Sequence, residues 1–236
     1  MKKIQKIQIQ RESFGVNGID DMIEGGLPKE GVFGLSGPPG IGKSILALHF
    51  LLDGARKGQK CLYINLEEPR GNIDNMLSQF DFGKEFLDYE KKELIVIRCY
   101  NYLEYEKIQK ELLQKIKDDK KIKRLVIDSF NCFFSSIGNA CSVGQEINVR
   151  KLITDSFYQL RKDDLTILLV LEKKNDSYSF EFNIPYLIDG LIQLDFLDLG
   201  VIERRIFVPK MRWTNQYKES KNYEISSKGI EVIHEE

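Results

Sequence analysis

The stretch that decides the fold is "VFGLSGPPGIGKSILALHF", residues 32–50. A short apolar run leads into a loop with three glycines, and after Lys43-Ser44 the apolar residues recur at helical spacing. A strand, a glycine-rich loop and a helix in this order can surround phosphate groups with backbone N–H groups and a helix N-terminus. The sequence therefore predicts a phosphate-binding loop over residues 37–44.

Each position of this loop has an expected role. Lys43 is expected to reach the β- and γ-phosphates of ATP, and the Ser44 hydroxyl to ligate Mg²⁺. A chance glycine-rich turn before a helix is the alternative, and both the preceding strand and the Lys-Ser ending argue against it. The expected nucleotide-binding residues are Gly37, Pro38, Pro39, Gly40, Ile41, Gly42, Lys43 and Ser44.

Composition narrows the class of protein. The chain has 236 residues, with 35 basic and 36 acidic side chains, so it carries no bulk basic charge to hold nucleic acid or anionic lipid. No apolar run approaches the roughly 20 residues that cross a bilayer, and the first residues lack an apolar signal core. We therefore expect a cytoplasmic protein without a membrane partner. Four cysteines without a C-x-x-C pair and only two histidines make a zinc site improbable and suggest small buried hydrophobic side chains.

Strands and helices alternate in the first two thirds of the chain, and strands follow one another at its end. Predicted strands occupy residues 31–37, 60–66, 92–98, 123–129 and 165–171, and predicted helices residues 43–58, 69–80, 101–119 and 145–162. A closing set of strands is expected between residues 187 and 233, with turns at Leu199-Gly200 and Lys228-Gly229. This order predicts an α/β fold with a mainly parallel twisted sheet, flanking helices and antiparallel C-terminal strands. Since composition nowhere changes abruptly, we expect a single domain over residues 1–236.

Three acidic residues follow predicted strands. Asp128 ends "RLVID", where an acidic side chain can hold the water shell of Mg²⁺, although an Asp that merely ends a strand is common. Glu67 and Glu68 follow "CLYIN", and the carboxyl ends of parallel strands share one edge with the phosphate loop. One of the two could orient the attacking water. A Glu-Glu-Pro helix start favoured by the helix dipole explains them equally well, so the residues alone leave both interpretations open.

Taken together, these motifs resemble the KaiC-like branch of the RecA-type P-loop ATPases. The resemblance runs from about residue 14 to residue 232 and rests on "FGVNGIDDMIEGGLPKEGVFGLSGPPGIGKS", "LYINLEEP", "LVIDS", "LIDGLIQL" and "PKMRWTNQY". It implies rings, commonly hexamers, with ATP between neighbouring subunits. It also implies that Glu67 and Glu68 are catalytic, and that Lys210 and Arg212 reach the nucleotide of the next subunit. Without the resemblance, Lys210 and Arg212 would be interpreted as an ordinary exposed strand end.

The chain departs from this family pattern in two places. After "KMR" the family usually has Gly-Thr, whereas here Trp213 and Thr214 follow, and Trp213 could stack on a base, contact a partner or cap the subunit surface. The strand over residues 165–171 ends in Val170-Leu171, where relatives often carry a hydroxyl that senses the γ-phosphate, although Glu172 matches a family Glu. The missing hydroxyls predict slow hydrolysis. Because only one ATPase domain is visible, neither a circadian role nor autophosphorylation is expected.

Three functions remain open at this point. The leading hypothesis is a ring-forming ATPase that binds and slowly hydrolyses ATP to change the state of an unidentified protein partner. A RecA-related DNA repair ATPase is the second. In the candidate DNA loop over residues 131–150, Phe133 and Phe134 could stack on bases, but the single basic residue, Arg150, lies at the far end of the loop. A nucleotide-loaded scaffold with negligible turnover is the third. The Val170-Leu171 strand end favours the scaffold, and the Glu67-Glu68 pair argues against it.

Overall fold

A computed structural model describes residues 8–100, 119–132, 164–172, 184–198 and 200–233, together with positions 114, 154, 155, 158 and 161. Near the N-terminus, β1 (Arg11–Glu12) and β2 (Leu27–Pro28) form a small antiparallel ribbon. The remaining strands form one sheet. They are β3 (Val32–Gly37), β4 (Lys60–Asn65), β5 (Ile95–Cys99), β6 (Ile122–Asp128), β7 (Thr166–Glu172), β8 (Gly190–Asp198), β9 (Ile202–Met211), β10 (Lys221–Ser226) and β11 (Gly229–Val232).

The sheet has nine strands in the order β11-β10-β9-β8-β3-β7-β6-β4-β5. The six strands from β8 to β5 run parallel, and β9, β10 and β11 continue the sheet in antiparallel pairs. The predicted fold class is therefore confirmed: a mainly parallel sheet with antiparallel C-terminal strands. The central strand β3 leads directly into the glycine-rich loop at its carboxyl end.

Five helices are described: α1 (Asn17–Met22), α2 (Lys43–Arg56), α3 (Arg70–Leu77), α4 (Gly83–Lys91) and α5 (Ile184–Leu187). The longest, α2, begins directly after Gly42, and Gly58 beyond its end has a left-handed backbone (φ 74°) that suits a residue without Cβ. Among the described residues, no helix is both long and apolar enough to cross a membrane. The helices expected over residues 101–119 and 145–162 lie almost wholly outside the described residues.

The helix predicted over residues 69–80 is wrong in extent. Its helix α3 ends at Leu77, and a second helix, α4, which the sequence analysis missed, begins at Gly83. The chain turns so tightly between them that a Cβ at Gly83 would lie 1.9 Å from the Leu77 carbonyl oxygen. Only glycine fits this close approach, so the turn divides an otherwise continuous amphipathic pattern.

Both faces of the parallel sheet are covered with apolar side chains. Phe33 and Leu35 of β3 lie in the core that contains α2, whereas Val32 lies in the core on the opposite face. This alternation follows from the pleat of a strand, in which successive side chains point to opposite faces. Burial on both faces explains why the strands read as nearly continuous apolar runs.

A buried ionic network fixes the N-terminal segment behind α2. The Arg124 guanidinium of β6 is fully buried and lies 2.8 Å from the Glu12 carboxylate and 3.0 Å from the Asp53 carboxylate. It also donates to the backbone carbonyls of Ser13 (2.7 Å) and Phe50 (2.6 Å). Because each of these groups has a partner, the network is tolerated inside the core, but the loss of one member would leave buried charge unpaired. The helix that carries the phosphate loop is thereby held from behind.

Candidate functional site

The glycine-rich loop has the backbone conformation that its sequence predicts. Gly40 (φ 73°) and Gly42 (φ 109°) both adopt left-handed conformations, which a residue with a Cβ rarely accepts. Since α2 starts directly after Gly42, the unpaired N–H groups of its first turn lie at the loop. The Lys43 ammonium lies over the loop, where it donates to the carbonyl oxygens of Gly37 (2.9 Å) and Pro38 (3.0 Å). The arrangement can exchange these contacts for the oxygens of an anion.

Acidic side chains surround the Lys43 ammonium. Burial lowers the pKa of Lys43, and the nearby carboxylates of Asp128, Glu172 and Glu67 oppose that shift. These side chains come from the carboxyl ends of β6 and β7 and from the segment after β4, as expected for the shared edge of a parallel sheet. The edge thus brings one cation and three carboxylates together around the phosphate loop.

Asp128 and Ser44 lie close enough to share a metal ion. Asp128 is only 5 % exposed, accepts a 2.8 Å hydrogen bond from the Tyr63 hydroxyl and is hydrogen-bonded to the Ser44 side chain. Burial raises the pKa of Asp128, and both of these hydrogen bonds oppose the rise. A hydroxyl and a carboxylate are the oxygen ligands with which Mg²⁺ is held beside phosphate groups, so these residues fit the ion.

The site does not offer a complete metal cage of protein side chains. Nowhere in the described ranges do three or more His, Cys, Asp or Glu side chains group closely enough to hold a metal ion. Mg²⁺ usually keeps several waters and takes further oxygens from a bound phosphate. Binding of Mg²⁺ here would therefore depend on the nucleotide.

The structure separates the roles of Glu67 and Glu68. The Asn65 side-chain oxygen accepts the backbone N–H groups of both residues, at 3.0 and 2.7 Å, and so fixes the turn after β4. The Glu67 carboxylate accepts hydrogen bonds from the Ser129 hydroxyl and, at 3.4 Å, from the Cys132 thiol. Among the described residues, the Glu68 carboxylate makes no hydrogen bond. Only Glu67 is held toward Asp128 and the phosphate loop.

The alternative interpretation of this pair as a helix start is not supported by the geometry. Helix α3 begins at Arg70 with Pro69 as its cap residue, and its first turn holds no acidic residue. Both glutamates precede the helix, where the effect of the dipole is weaker. Their position is better explained by the sheet edge than by helix capping.

Glu172 belongs to the site, and only its family match gave a signal in the sequence. It ends β7 directly opposite Gly37 of β3, and its backbone N–H donates to the Asn131 side chain at 2.8 Å. Burial, and then the neighbouring Glu67 carboxylate, raise the pKa of Glu172, and the two carboxyl groups are hydrogen-bonded. Val170 and Leu171 before it are buried in the two cores. Neither residue brings a hydroxyl to the loop.

The cysteines behave in two ways. Cys61 is fully buried, as expected of a small hydrophobic side chain, and burial raises its pKa to about 12. Cys99 and Cys132 are half-buried and pack against the two cores, and the Cys132 thiol also donates to the Glu67 carboxylate. Burial also raises the pKa of Cys132, to about 11, which keeps its thiol protonated at neutral pH. Cys141 lies outside the described residues.

Lys210 and Arg212 lie at the opposite edge of the sheet from the phosphate loop of the same chain. Gly190 pairs with Phe33 near the start of β3 and with Met211 of β9, which places the "KMR" segment at the amino end of β3. The loop follows the carboxyl end of β3, and the six residues of this strand span about 17–20 Å. Within one subunit, the pair therefore does not approach its own loop.

Both cationic side chains are fixed by hydrogen bonds. The Lys210 ammonium donates to the carbonyl oxygens of Pro185 (2.8 Å) and Ile188 (2.7 Å). The Arg212 guanidinium lies 3.2 Å from the buried carboxylate of Asp189, which also accepts the Val32 N–H of β3 at 2.9 Å. Arg212 is exposed just beyond the end of β9, as expected of an exposed strand end, but hydrogen bonds hold both side chains in place. The positions of these side chains are tied to the strand that carries the phosphate loop.

Comparison with known proteins places this geometry in a family. A UPF0273 protein of Pyrococcus furiosus is 28% identical over 242 residues, covering 95% of this chain and 94% of the relative. A UPF0273 protein of Thermotoga maritima is 26% identical, with coverages of 95% and 96%. The circadian clock oscillator protein KaiC of Acaryochloris marina is 27% identical over 98% of this chain, which spans 44% of that longer protein.

A solved structure and a family profile agree with these relatives. The crystal structure of a KaiC-like protein from Pyrococcus horikoshii superposes with a TM-score of 0.78 at 26% identity, covering 96% of this chain and all of that one. The profile of the KaiC ATPase family matches residues 13–236. The family match and the superposition thus both extend over nearly the whole length of this chain. We conclude that the chain belongs to the KaiC family of ATP-binding P-loop ATPases.

Proposed function

We propose that this protein is a ring-forming ATPase that binds ATP and Mg²⁺ at residues 37–44 and hydrolyses the nucleotide slowly. The ring, expected to be a hexamer, would hold each nucleotide between two subunits. The observation that supports this most directly is the placement of the phosphate loop and the Lys210-Arg212 pair at opposite edges of one sheet. Only a second subunit can bring such a pair to a nucleotide in the loop.

The residues of the loop edge divide the work. The loop N–H groups and the Lys43 ammonium bind and orient the phosphates, and Ser44 and Asp128 would hold Mg²⁺, which would supply positive charge to the phosphate oxygens. Glu67 is placed to orient the attacking water and accept its proton. Lys210 and Arg212 of the adjoining subunit would stabilise the charge that develops on the γ-phosphate.

Two features support slow turnover. Val170 and Leu171 end the buried part of β7 without a hydroxyl that could follow the γ-phosphate. Glu67 is hydrogen-bonded to Ser129 and Glu172, so its carboxylate must leave these contacts before it can act on water. An ATPase that turns over slowly can serve as a switch that changes the state of a protein partner. The same Val170-Leu171 strand end favours one further candidate, a nucleotide-loaded scaffold with negligible turnover.

The candidate DNA-binding loop over residues 131–150 lies almost wholly outside the described residues. Asn131 and Cys132 are described, and their side chains are engaged with Glu172 and Glu67 at the nucleotide site. No observation on the described part of the chain favours a DNA substrate, so the DNA repair hypothesis is not developed further.

The first experiment measures molecular mass by sedimentation with and without Mg-ATP, and phosphate release from the same sample. We expect assembly on Mg-ATP together with slow phosphate release. Assembly without release would support the scaffold, and a monomer in both conditions would contradict the ring. The variant Lys43→Ala should stay folded and lose most ATP affinity, because it loses phosphate contacts and no core packing.

A mixing experiment tests whether Arg212 acts between subunits. Lys43→Ala keeps a working arginine, Arg212→Ala keeps a working loop, and each variant alone should be nearly inactive. After subunit exchange in an equal mixture, roughly a quarter of the interfaces should combine both intact parts, and activity should partly return. A mixture that exchanges subunits, as shown by fluorescence energy transfer between labelled copies, yet stays inactive would refute action between subunits.

A further inference from the structure

Trp213, the single tryptophan of the chain, is displayed on the surface by a fixed backbone. Trp213 is 58 % exposed, and its backbone is left-handed (φ 56°), a conformation that a residue with a bulky side chain rarely adopts. The Arg11 guanidinium holds this backbone, since it donates to the Trp213 carbonyl at 3.2 Å and to the Thr214 hydroxyl at 2.9 Å. The same guanidinium pairs with Glu24. The backbone is thus anchored while the indole ring lies in solvent.

The indole ring lies beside a broad groove. The groove has a volume of about 980 Å³, and Ile9, Arg11, Trp213 and Asn215 are among the residues that line it. Ile9 and the nearby Tyr217 are also exposed. Exposed aromatic side chains beside an arginine are typical of the residues that contribute most to protein–protein binding. The groove therefore has the character of an unfilled interface.

The position of Trp213 favours a second copy of this chain as the molecule that covers its indole ring. Trp213 directly follows Arg212, whose side chain is 46 % exposed, at the amino edge of the sheet. The opposite edge, beside the phosphate loop, carries the exposed carboxylates of Glu67, Glu68 and Glu172. The cationic side chains of Lys210 and Arg212 at one edge and the three carboxylates at the other have complementary charge. Two copies can therefore associate head to tail, with one edge of each facing the other.

Apolar surface at the carboxyl edge strengthens this match. Strand β3 ends at Gly37, whereas its neighbour β8 pairs with it only as far as Gln193 and continues to Asp198. The β8–β9 hairpin therefore projects past the phosphate loop, and near its tip Val201 and Ile202 are 71 % and 70 % exposed. The two edges thus present separate apolar patches, as a heterologous interface requires.

We propose that Trp213 anchors the interface between two copies of this chain, with its indole ring buried against the carboxyl edge of the neighbour beside Arg212. This inference rests on the head-to-tail assembly of the proposed function. It adds the residue that supplies the apolar contact next to the cationic pair. The Arg11 contacts fix the backbone of Trp213 before the neighbour arrives, which reduces the backbone conformational entropy lost on association.

The test compares subunit association in four proteins by sedimentation over a range of concentrations in saturating Mg-ATP. Trp213→Gly removes the side chain and suits the left-handed backbone, and we expect at least about 30-fold weaker association. Trp213→Phe should recover part of the loss. Ile233→Ala removes an exposed apolar side chain at the outer strand β11 and should associate like the original protein. Thermal melting of each variant verifies that it is folded.

The fluorescence of the original protein gives a second, independent readout. Because Trp213 is the only tryptophan, its emission should shift to shorter wavelength as subunits associate, with the same concentration dependence as the mass. If Trp213→Gly assembles as tightly as the original protein, or if emission is unchanged in the assembled protein, the anchor is refuted while the ring stands. An emission change on nucleotide binding with unaltered association would show contact with a base, and it would also refute the anchor. A failure of the original protein to assemble would instead contradict the proposed function.

Discussion

Replacing each glutamate of the Glu67-Glu68 pair separately should have unequal effects on hydrolysis. The Glu67 carboxylate is held between Ser129 and Glu172 at the phosphate loop, whereas Glu68 makes no side-chain hydrogen bond in the described ranges. We expect Glu67→Gln to lose most phosphate release and to keep ATP binding. Glu68→Gln should keep most of both.

The size of the difference follows from these contacts. A positioned general base typically contributes 10²–10⁴ in rate, which corresponds to about 3–5 kcal/mol of transition-state stabilisation. The amide oxygen that Glu67→Gln introduces can still accept the hydrogen of the Ser129 hydroxyl, so the fold should lose little stability. The Glu68 carboxylate has no hydrogen bond in the described ranges to position it, and an unpositioned exposed charge contributes at most about 1 kcal/mol, or about fivefold in rate.

The assay is single-turnover phosphate release at saturating Mg-ATP, with ATP affinity measured by calorimetry on the same protein. Glu93→Gln, just before β5 at the amino edge of the sheet, serves as the matched control for loss of an exposed carboxylate. Equal losses in the two variants, or a hundredfold loss confined to Glu68→Gln, would refute the assignment of Glu67. Loss of ATP affinity in Glu67→Gln would show that the carboxylate supports binding and not the attacking water.

Three further outcomes are expected. Arg124→Ala should lower the free energy of unfolding in urea by about 3–5 kcal/mol, because the carboxylates of Glu12 and Asp53 lose the buried cation that they share, and a loss below about 1 kcal/mol would contradict the network. The His49 imidazole accepts the Ile230 N–H and its pKa is lowered to about 4 by burial, so proton NMR should show it neutral at pH 5. Below pH 6.5 the unfolded chain binds a proton at His49 and the folded chain does not. The free energy of unfolding should therefore fall by up to about 3 kcal/mol between pH 6.5 and 4, relative to His49→Gln. A His49 titration near pH 6.5 would contradict this. Tyr63→Phe removes the hydrogen bond to Asp128 and should raise the Mg²⁺ concentration needed for ATP binding by about 10–100-fold. An unchanged Mg²⁺ requirement would show that Tyr63 has no role at the metal.

The sequence was informative where structure is local. The apolar runs and the loop glycines predicted β3, the phosphate loop and α2, because strand–loop–helix geometry depends on neighbouring residues. The boundary between α3 and α4 was missed, since the pattern of apolar residues does not reveal that Gly83 approaches the Leu77 carbonyl. A turn made by close backbone contact leaves no periodic signal.

Long-range contacts were harder to predict. Whether Lys210 and Arg212 lie beside the loop or at the far edge depends on the antiparallel pairing of β8 with β9, which no local pattern specifies. The charge network around Arg124 joins residues more than 100 positions apart, and the sequence shows only an arginine at the start of a strand. The contact of Cys132 with Glu67 likewise depends on how the segment after β6 folds over the site.

The placement of the two functional halves at opposite edges of one sheet has a consequence for the number of working sites. In an open row of copies joined head to tail, the loop of one terminal copy faces solvent, so a row of n copies has n − 1 complete sites. Closing the row completes the last site without adding a subunit. The gain per molecule is largest for the shortest rows, so for the proposed ring the specific activity should rise steeply with protein concentration and then level off.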